Sequence, residues 1–261
     1  DENRRRCSLD HLAFVVAGYG KLGGIELGYG SDLDLVFIHA MDEQADTDGT
    51  KVISGFEFAM RVAQKFMSLM TTQTLDGRVY EIDTRLRPSG EAGLLVTSLK
   101  AFEQYQLKSA WVWEHQALVR ARSIAGELSL REKFEQLRCR ILTLPRDEEN
   151  VRVEVLNMRQ KMKDHLGSSK EQKKDGIFHL KQDAGGIVDI EFMAQYAVLA
   201  WSGSNPDLAH FSDNVRILED AARAGCLSSE DATALIQAYL RERAESHRLA
   251  LANQSMQVHA A

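Results

Sequence analysis

The fold class of this chain is decided by the stretch Gly23-Gly24-Ile25-Glu26-Leu27-Gly28-Tyr29-Gly30-Ser31-Asp32-Leu33-Asp34-Leu35-Val36-Phe37. Two glycines precede an Asp-x-Asp pair, and the pair opens an apolar run to Ile38 that predicts a β-strand. Side chains alternate across a strand, so Asp32 and Asp34 point to one face with their Cα atoms about 6.6 Å apart. Two ionised carboxylates at this separation repel each other unless a cation lies between them. The stretch therefore predicts a metal site that carries nucleotide phosphates, and a simple strand end in which the two Asp mark the turn is the alternative.

A second acidic strand is predicted downstream. Val79 to Asp83 has the composition of a short strand, and Pro88-Ser89-Gly90 predicts the turn that ends it. If this strand is a neighbour of the Leu33 strand, Asp83 lies near the Asp-x-Asp pair. Three carboxylates can hold two divalent ions, an arrangement that stabilises the attacking and leaving oxygens of a phosphoryl displacement. The two strands together predict a two-metal site.

Two arginines follow this strand directly. Arg85 and Arg87 carry planar guanidinium groups, which match phosphate oxygens with forked donors. The alternative is a solvated strand edge, or ion pairs with Glu81 and Glu91. The residues alone leave both interpretations open.

A competing motif overlaps the same region. A strand runs into G-x-G-x-x-G from Gly18, the dinucleotide-binding fingerprint, and Asp42 lies where a ribose-binding acid would be expected. However, a dinucleotide-binding helix needs about ten or more residues to cross its sheet, and Gly28 and Gly30 interrupt this one. The next strand also opens with two carboxylates rather than with an apolar core run. We therefore favour phosphate binding at the Gly23-Gly24 turn over a nicotinamide site.

The composition excludes several classes of protein. The chain has 261 residues, of which 44% are apolar and 27% charged, as in ordinary folded domains. Its three cysteines have neither disulfide-framework nor zinc-site spacing. There is no apolar run of about 18 residues and no signal peptide, so we expect no membrane association and a cytoplasmic location. A net charge of −6 argues against nucleic-acid binding but is compatible with nucleotide binding.

The first part of the chain alternates strand and helix patterns. Strands are predicted at Phe14 to Ala17, Leu33 to Ile38, Val79 to Asp83 and Leu94 to Val96. A helix from Ser54 to Thr72, with a Ser54–Glu57 capping-box pattern, lies between the second and third strands. Its predicted buried stripe consists of Phe58, Val62, Phe66, Leu69 and Met70.

After about residue 98 the period is helical to the end. The predicted helices are Ala101 to Gln106, Trp111 to Ile124, Glu149 to Leu166, Ile187 to Trp201, Asn214 to Ala224 and Ser229 to Asn253, with Ser229 as an N-cap and Gly225 as a C-cap. The polar segment Gly167 to Lys174 is predicted as a mobile loop. The chain is thus predicted to be α+β. A catalytic domain at 1–105, connecting helices at 106–145 and a helical bundle at 146–261 are expected.

Several linked motifs resemble the glutamine synthetase adenylyltransferase family of the polymerase-β-like nucleotidyltransferases. They are Gly18-Tyr19-Gly20-Lys21-Leu22-Gly23-Gly24, Glu26-Leu27, Ser31-Asp32-Leu33-Asp34-Leu35, Asp83-Thr84-Arg85-Leu86-Arg87-Pro88, Trp113-Glu114-His115-Gln116-Ala117-Leu118-Val119-Arg120-Ala121-Arg122, Asp183-Ala184-Gly185-Gly186-Ile187-Val188-Asp189-Ile190-Glu191-Phe192, Tyr239-Leu240-Arg241 and His247-Arg248-Leu249. The resemblance runs from about Phe14 to His247, and the set of motifs is far more specific than any one of them. It implies a small mixed sheet with helices, followed by a helical bundle.

The resemblance also implies an activity. Family enzymes are longer and have two halves, of which one attaches AMP to a tyrosine of glutamine synthetase and the other removes it. This chain carries one copy of the motifs, and its Gly28-Tyr29-Gly30-Ser31 and Pro88-Ser89-Gly90 resemble the C-terminal, adenylylating half. The expected substrates are ATP and glutamine synthetase, and the expected regulators of the full-length enzyme are the signal protein PII and glutamine. An AMP-removing half and a catalytically inactive regulatory module are the alternatives.

The expected site residues follow from both lines of reasoning. Asp32, Asp34 and Asp83 are expected to hold Mg²⁺, in two ions, and Asp83 also to assist deprotonation of the attacking hydroxyl. The expected nucleotide-binding residues are Lys21, Gly23, Gly24, Ser31, Arg85 and Arg87.

Other candidates are expected to be structural. His115 and His247 are expected to be packed or hydrogen-bonded rather than to act as bases. Asp183, Asp189 and Glu191 lie at the start of a helix, where acidic residues are favoured by the helix dipole. A contact of these three acids with the nucleotide is the alternative.

Overall fold

The structure is a computed structural model that describes residues 13–28, 30–41, 46–47, 52–75, 77–78 and 80–259, without the side chain of Arg78. The described residues form two compact units. The sheet unit comprises the described parts of Asp1–Glu26, Ser31–Ala110 and Arg120–Ile141, and the helical unit comprises the described parts of Leu27–Gly30, Trp111–Val119 and Leu142–Ala261. The division into a catalytic domain at 1–105, connecting helices at 106–145 and a helical bundle at 146–261 stays a prediction.

The chain folds as a mixed α+β structure. Its elements in order are β1 (Phe14–Gly18), α1 (Gly20–Gly23), β2 (Leu33–His39), α2 (Gly55–Met70), β3 (Gln73–Thr74), β4 (Gly77–Arg78), β5 (Ile82–Asp83), β6 (Val96–Ser98), α3 (Leu99–Lys108), α4 (Val112–Val119), β7 (Arg122–Gly126), α5 (Leu128–Leu142), α6 (Glu148–Leu166), α7 (Lys170–Lys174), β8 (Ile177–His179), α8 (Ile187–Trp201), α9 (Asn214–Arg223), α10 (Ser229–Leu251) and β9 (Gln257–His259). Short 3₁₀ turns lie at Gly90–Ala92 and Pro206–Ala209.

A small mixed sheet forms the centre of the sheet unit. Its strand order is β5-β2-β1-β7, and β6 also pairs with β2. β1 is antiparallel to both of its neighbours, whereas β2 is parallel to β5 and β6. The pairing of β2 with β5 sets Leu33 opposite Ile82 and Asp34 opposite Asp83. This register decides where the acidic side chains meet.

Helix α2 covers one face of this sheet. Ser54 is its N-cap and accepts a hydrogen bond from the backbone N–H of Glu57, as the sequence predicts. Val62, Phe66 and Met70 of the predicted stripe pack on the core, and the ring of Phe66 meets that of Phe37 edge-on. Leu69 is 59% exposed, so its place in the stripe was wrong. The closest approach of the helix is made by small residues, Ala59 and Ala63, which are fully buried.

Strand β7 contradicts the predicted helix from Trp111 to Ile124. Helix α4 ends at Val119, and residues from Arg122 pair with the free edge of β1. The pairing satisfies the backbone groups of an otherwise open sheet edge, and this tertiary gain overrides local helix propensity. The predicted third and fourth strands are also shifted, since β5 is only Ile82–Asp83 and β6 begins at Val96. Val79 lies outside the described residues.

The helical unit is built around α8, which buries eight of its residues and packs against α4, α6, α9 and α10. It also contains a two-stranded ribbon of β8 and β9, so the prediction of purely helical structure after residue 98 was wrong. Part of the predicted loop from Gly167 to Lys174 is the short helix α7, whose first turn is closed by a capping box of Ser169 and Gln172. Helix α10 is capped by Ser228 rather than by Ser229. Gly225 follows α9 with a φ of +73°, the conformation for which glycine was expected there.

None of the helices in the described part of the chain has the length and apolar character needed to cross a membrane.

Candidate active site

Three carboxylates come together where β2 begins and β5 ends. Each of Asp32, Asp34 and Asp83 offers one carboxylate oxygen, and these oxygens lie within 4.8 Å of one another. Asp34 and Asp83 are paired residues of the parallel strands β2 and β5, and Asp32 immediately precedes β2. Asp32 is exposed, whereas the other two are half-buried. The strand register alone therefore assembles a set of hard oxygen donors of the kind that Mg²⁺ prefers.

The backbone at Gly20 makes room for one of these carboxylates. Gly20 has a φ of +54°, and a Cβ atom there would lie 2.3 Å from Oδ2 of Asp34. The backbone N–H of Tyr19 also donates to the carbonyl oxygen of Asp34 over 2.9 Å. A side chain at position 20 would be strained and would collide with the acidic cluster. The sequence analysis placed Gly20 in the rejected dinucleotide motif and in the family motif, and it missed this contact because Asp34 is 14 residues away in the chain.

Asp83 is held by the arginine two residues later. Its Oδ1 accepts the backbone N–H of Arg85 over 2.8 Å, and Nε of Arg85 lies 2.8 Å from its Oδ2. Nη2 of Arg85 donates to the same Oδ2. These side-chain hydrogen bonds from Arg85 lower the pKa of Asp83 below its ordinary value, against the opposing effect of burial. Asp83 is thus kept ionised.

Arg87 is engaged differently. Its Nε donates to the carbonyl oxygen of Gly93 over 3.2 Å, and its Nη1 donates to the carbonyl and hydroxyl oxygens of Thr84 over 2.8 and 3.0 Å. Nη2 donates to the carbonyl oxygen of Glu91 over 3.1 Å. Arg87 thus forms four hydrogen bonds to other residues of its own loop, residues 84–93, and stabilises the conformation of that loop. A phosphate contact by Arg87 stays a prediction, and the donors left for it are few.

The same loop has an unusual backbone. Ser89 and Gly90 have consecutive positive φ angles of 62° and 55°. A Cβ atom on Gly93 would lie 1.9 Å from the carbonyl oxygen of Pro88. The loop is therefore compact and determined by its own sequence, and it carries Arg85 and Glu91 beside the carboxylate cluster.

Lys21 and Ser31, two of the predicted nucleotide ligands, lie together. Nζ of Lys21 is 3.4 Å from Oγ of Ser31, and Ser31 immediately precedes Asp32. The lysine is exposed, whereas the serine is buried. An ammonium group is thus held beside Asp32 by its contact with the neighbouring serine hydroxyl.

The Gly23-Gly24 turn serves a different purpose in this structure. The N–H groups of Gly23 and Gly24 donate to the carbonyls of Tyr19 and Gly20 over 2.9 and 3.0 Å, so phosphate binding by these amides requires the turn to open. A Cβ on Gly23 would lie 2.0 Å from the carbonyl oxygen of Arg120. The glycines are needed for close backbone packing, and their predicted phosphate contact stays a prediction.

Two arginines of the Trp113–Arg122 motif complete this packing. Arg120 forms a buried ion pair with Glu26, and both side chains are about 5% exposed. Arg122 donates to the carbonyl oxygens of Leu22 and Gly23, which end helix α1. The motif residues Glu26, Arg120 and Arg122 therefore hold α1, the element that carries Lys21. Sequence reasoning recorded these residues only as points of resemblance.

A cavity of about 540 Å³ lies against the cluster. Its lining includes four carboxylates, those of Asp32, Glu81, Asp83 and Glu91, and two guanidinium groups, those of Arg85 and Arg87. Thr84 and Ile82 complete the lining. An acid-rich cavity repels a polyanion unless cations compensate the charge, so the donor set fits a divalent ion together with a nucleotide better than a nucleotide alone.

The second acidic motif lies in the helical unit and is satisfied by the backbone. Asp183 is 3% exposed and accepts the N–H groups of Ser168 and His179 over 2.9 and 2.8 Å. Burial alone would raise the pKa of Asp183, but these hydrogen bonds prevail and lower it to about 2. Asp189 accepts the N–H of Gly185 and pairs with Arg159. Both aspartates thus have the structural contacts that the sequence favoured.

The remaining candidates are placed as follows. The imidazole of His247 packs on Gly28, where a Cβ would lie 2.6 Å from Nε2, and Gln116, next to His115, donates to Gln195 over 2.9 Å. Glu191 lies within α8. Tyr29, Asp42 and the side chain of Arg78 are outside the described residues.

The small mixed sheet with a carboxylate cluster at the β2–β5 pair is consistent with a nucleotidyltransferase-like domain. Comparison with known proteins agrees. The family model of glutamate-ammonia ligase adenylyltransferase matches residues 3–137, slightly more than half of the chain. The chain belongs to this family. A second family model, GlnD PII-uridylyltransferase, matches residues 156–257.

Curated relatives carry both activities in their names. The chain is 86% identical, over its full length, to a bifunctional glutamine synthetase adenylyltransferase/adenylyl-removing enzyme of Acinetobacter baylyi, and covers 28% of that protein. It is 55% identical over 91% of its length to the enzyme of the same name from Pseudomonas aeruginosa, and covers 25% of it. For the enzyme of Hahella chejuensis the identity is 51%, over 94% of the chain and 26% of the relative. The chain thus spans about a quarter of the length of these relatives.

Proposed function

We propose that this chain transfers AMP from ATP to a tyrosine hydroxyl of glutamine synthetase. The observation that carries the proposal is the β2–β5 register, which brings the carboxylates of Asp32, Asp34 and Asp83 within 4.8 Å. A decayed, purely regulatory module would have no need to keep three carboxylates at this distance. The relatives named above, with adenylyltransferase activity in their names, support the same reaction.

The architecture that we propose has two parts. The mixed sheet and its helices form a polymerase-β-like nucleotidyltransferase domain, with the Asp-x-Asp pair at the start of β2. The helices after residue 146 form a bundle. Support for the first part comes from the position of the acidic pair on β2, and for the second from the packing of α8 against α6, α9 and α10.

Asp32, Asp34 and Asp83 would hold the metal, which we take to be two Mg²⁺ ions. When bound, Mg²⁺ neutralises phosphate charge and makes a hydroxyl more acidic. The carboxylates are ionised donors held at fixed strand positions, and Asp83 can also take the proton of the tyrosine hydroxyl at its carboxylate. In the reaction a bond forms between the tyrosine oxygen and the α-phosphorus, and the bond between that phosphorus and pyrophosphate breaks.

Lys21, Ser31 and Arg85 would bind the phosphates. Lys21 and Ser31 lie 3.4 Å apart beside Asp32, so an ammonium group and a hydroxyl are available to one phosphate group. Arg85 is exposed in the cavity and offers a planar fork for phosphate oxygens. Arg87 would act mainly by holding the loop that carries Arg85.

The direction of the reaction is the finest part of the proposal. AMP removal by phosphorolysis needs a second anion pocket for inorganic phosphate. Among the described residues that line the cavity, the basic ones are Arg85 and Arg87, and both have partners in the structure. This lining and the resemblance of Gly28–Ser31 to the adenylylating half favour attachment. PII and glutamine would regulate the whole protein rather than this part of it alone.

One experiment tests both the reaction and its direction. The chain is incubated with α-labelled ATP, Mg²⁺ and unmodified glutamine synthetase, and transfer of label to the synthetase is the expected result. A parallel reaction contains adenylylated synthetase and inorganic phosphate. Release of ADP there, with no labelling of the unmodified synthetase, would show that the chain is the removing half. No reaction in either tube, with nucleotide still bound, would favour the regulatory module.

A further inference from the structure

Arg85 surrounds the carboxylate of Asp83 with donors. Nε lies 3.0 Å from Oδ1 and 2.8 Å from Oδ2, Nη2 donates to Oδ2, and the backbone N–H donates to Oδ1 over 2.8 Å. An ionised carboxylate presents about four lone-pair sites. A cation that takes Asp83 as a ligand must therefore displace at least one contact of the guanidinium group.

The guanidinium group also balances the charge of the cluster. Three carboxylates whose oxygens lie within 4.8 Å repel one another when ionised. Arg85 is hydrogen-bonded to Asp83 and also experiences the negative charge of Asp34. It thus places a positive charge on one of the three carboxylates that a divalent ion would need as ligands.

Arg85 is free to move, whereas the second arginine of the cavity is not. The side chain of Arg85 is 69% exposed, and its guanidinium group donates to the two carboxylate oxygens of Asp83, two residues away. Arg87 is fastened to Thr84, Glu91 and Gly93 and could leave only if the loop came apart. Release of Arg85 therefore costs one local ion pair, whose guanidinium side faces solvent and can be hydrated when the pair opens.

We propose that Arg85 is the stand-in cation of the metal-free protein, and that divalent ions displace it from Asp83 and free its fork to bind nucleotide phosphate. The inference rests on the proposed function, because it takes the three carboxylates to be the metal site. Metal and nucleotide then strengthen each other's binding, and the two effects are equal by linkage. Arg85 is the residue that couples them.

The first test follows the Nε–Hε group of Arg85 by ¹⁵N NMR, with the resonance assigned by its loss in Arg85→Lys. In metal-free protein the resonance should show a bound, slowly exchanging N–H. Saturating Mg²⁺ should shift it towards the position of a free arginine, and α,β-methylene-ATP added with Mg²⁺ should shift it again. An Arg85 resonance that stays unchanged while Mn²⁺ is shown to bind at the carboxylates overturns the inference.

The second test measures Mn²⁺ affinity without nucleotide by electron paramagnetic resonance. Arg85→Met should bind Mn²⁺ roughly two- to fivefold more tightly than the unchanged chain, because a competing exposed ion pair is gone. Arg85→Lys keeps the charge and loses the fork, so displacement of the fork predicts a change in the same direction. Affinity in Arg85→Lys equal to that of the unchanged chain would mean that charge alone acts, which contradicts the inference.

A control separates this inference from the proposed function. Asp34→Asn should abolish Mn²⁺ binding whatever Arg85 does. If the unchanged chain binds no Mn²⁺, the proposed metal site is wrong. If Mn²⁺ binds and Asp34→Asn removes it, but the Arg85 variants and the NMR signal do not respond, only the role of Arg85 is wrong. With α,β-methylene-ATP and Mg²⁺ present, Arg85→Met should bind the nucleotide more weakly than the unchanged chain.

Discussion

The aspartate carboxylates of the sheet unit and those of the helical unit have different contacts. Asp32, Asp34 and Asp83 face one another within 4.8 Å, and a cavity lies beside them. Asp183 and Asp189 instead accept backbone N–H groups of neighbouring loops, at distances between 2.6 and 2.9 Å. Asp83 also accepts a main-chain N–H, that of Arg85, so the two groups differ in that the carboxylates of the sheet unit face one another, and carboxylates at that distance favour a bound cation.

The difference originates in local backbone geometry. The parallel pairing of β2 with β5 sets Asp34 opposite Asp83, so the strand register places these two side chains close together. The chain around Asp183 makes tight turns before α8, which leaves main-chain donors in reach of a short side chain. Both motifs consist of aspartates near glycines. They differ in local structure, since one lies at paired strands and the other in turns before a helix.

The largest expected effect is the loss of transfer in Asp34→Asn. The variant removes one charge from the proposed metal-binding set, and we expect turnover with Mg²⁺ to fall on the order of 10³-fold, since metal stabilisation of the transition state contributes several kcal/mol. The fold should persist, because mutual repulsion in the cluster falls. A steady-state assay and thermal unfolding measure the two properties. Near-normal turnover in Asp34→Asn would show that this carboxylate cluster is not the metal site of the reaction.

Asp183→Asn should show the reverse pattern. The amide turns one acceptor into a donor facing buried N–H groups, and we expect a loss of about 2–3 kcal/mol in the free energy of unfolding. Urea unfolding measures it, with the exposed Asp175→Asn as the control. Loss of transfer in Asp183→Asn without loss of stability would give the helical motif a direct role with the nucleotide.

The effect of Asp183 should also depend on pH. Its pKa is lowered to about 2 from 3.8, so its contribution to stability is present above about pH 4 and is lost as the pH falls towards 2. The stability difference between the unchanged chain and Asp183→Asn should therefore shrink over that interval.

The smallest expected effect concerns Glu242 of α10, a partly buried carboxylate that belongs to neither of the two groups of aspartates. Burial and the charge of Asp189 raise the pKa of Glu242 to about 7 from 4.5, and its buried Oε2 has no hydrogen-bond partner among the residues that the structure describes. The folded state holds this proton more strongly than the unfolded state, so stability falls as the pH rises from about 4.5 to 7. Glu242→Gln should raise the melting temperature at pH 8 by a few degrees at most and have little effect at pH 4, roughly 2–4 °C for each kcal/mol gained.

Glu245→Gln serves as the matched control on the same helix. Side-chain hydrogen bonds from Arg248 lower the pKa of Glu245, so its replacement should not stabilise the protein at pH 8. Equal stabilisation by both variants would show a general charge effect and not the local burial of Glu242.

Sequence reasoning worked where a pattern is local. The period-two spacing of Asp32 and Asp34, the apolar run after them and the cap at Ser54 depend on neighbours in sequence, and each predicted element is present. The family itself was predicted from linked motifs and is confirmed by the match of residues 3–137.

The failures lie where distant residues decide. β7 pairs with an edge of β1 more than 100 residues earlier in the chain. The pattern of residues within Arg122–Gly126 does not indicate that such an edge is available. The need for glycine at position 23 also depends on a distant residue, since a Cβ there would lie 2.0 Å from the carbonyl oxygen of Arg120, while the predicted phosphate contact of this turn stays a prediction. Spacing in the sequence also does not assign the side-chain partners of Arg85 and Arg87. The two residues lie two positions apart, yet Arg85 binds the carboxylate of Asp83 and Arg87 binds the backbone of its own loop.

The anchoring of α1 also has a consequence for the order of events during synthesis. The turn that carries Lys21 is held by Glu26 with Arg120, 94 positions later in the chain, and by Arg122. A growing polypeptide cannot complete this turn until those arginines have left the ribosome, and β1 has no partner in β7 before then. A piece that ends at residue 105 lacks both arginines. The end of the sheet that carries α1 should therefore be the last part of its unit to become resistant to protease as the chain is made.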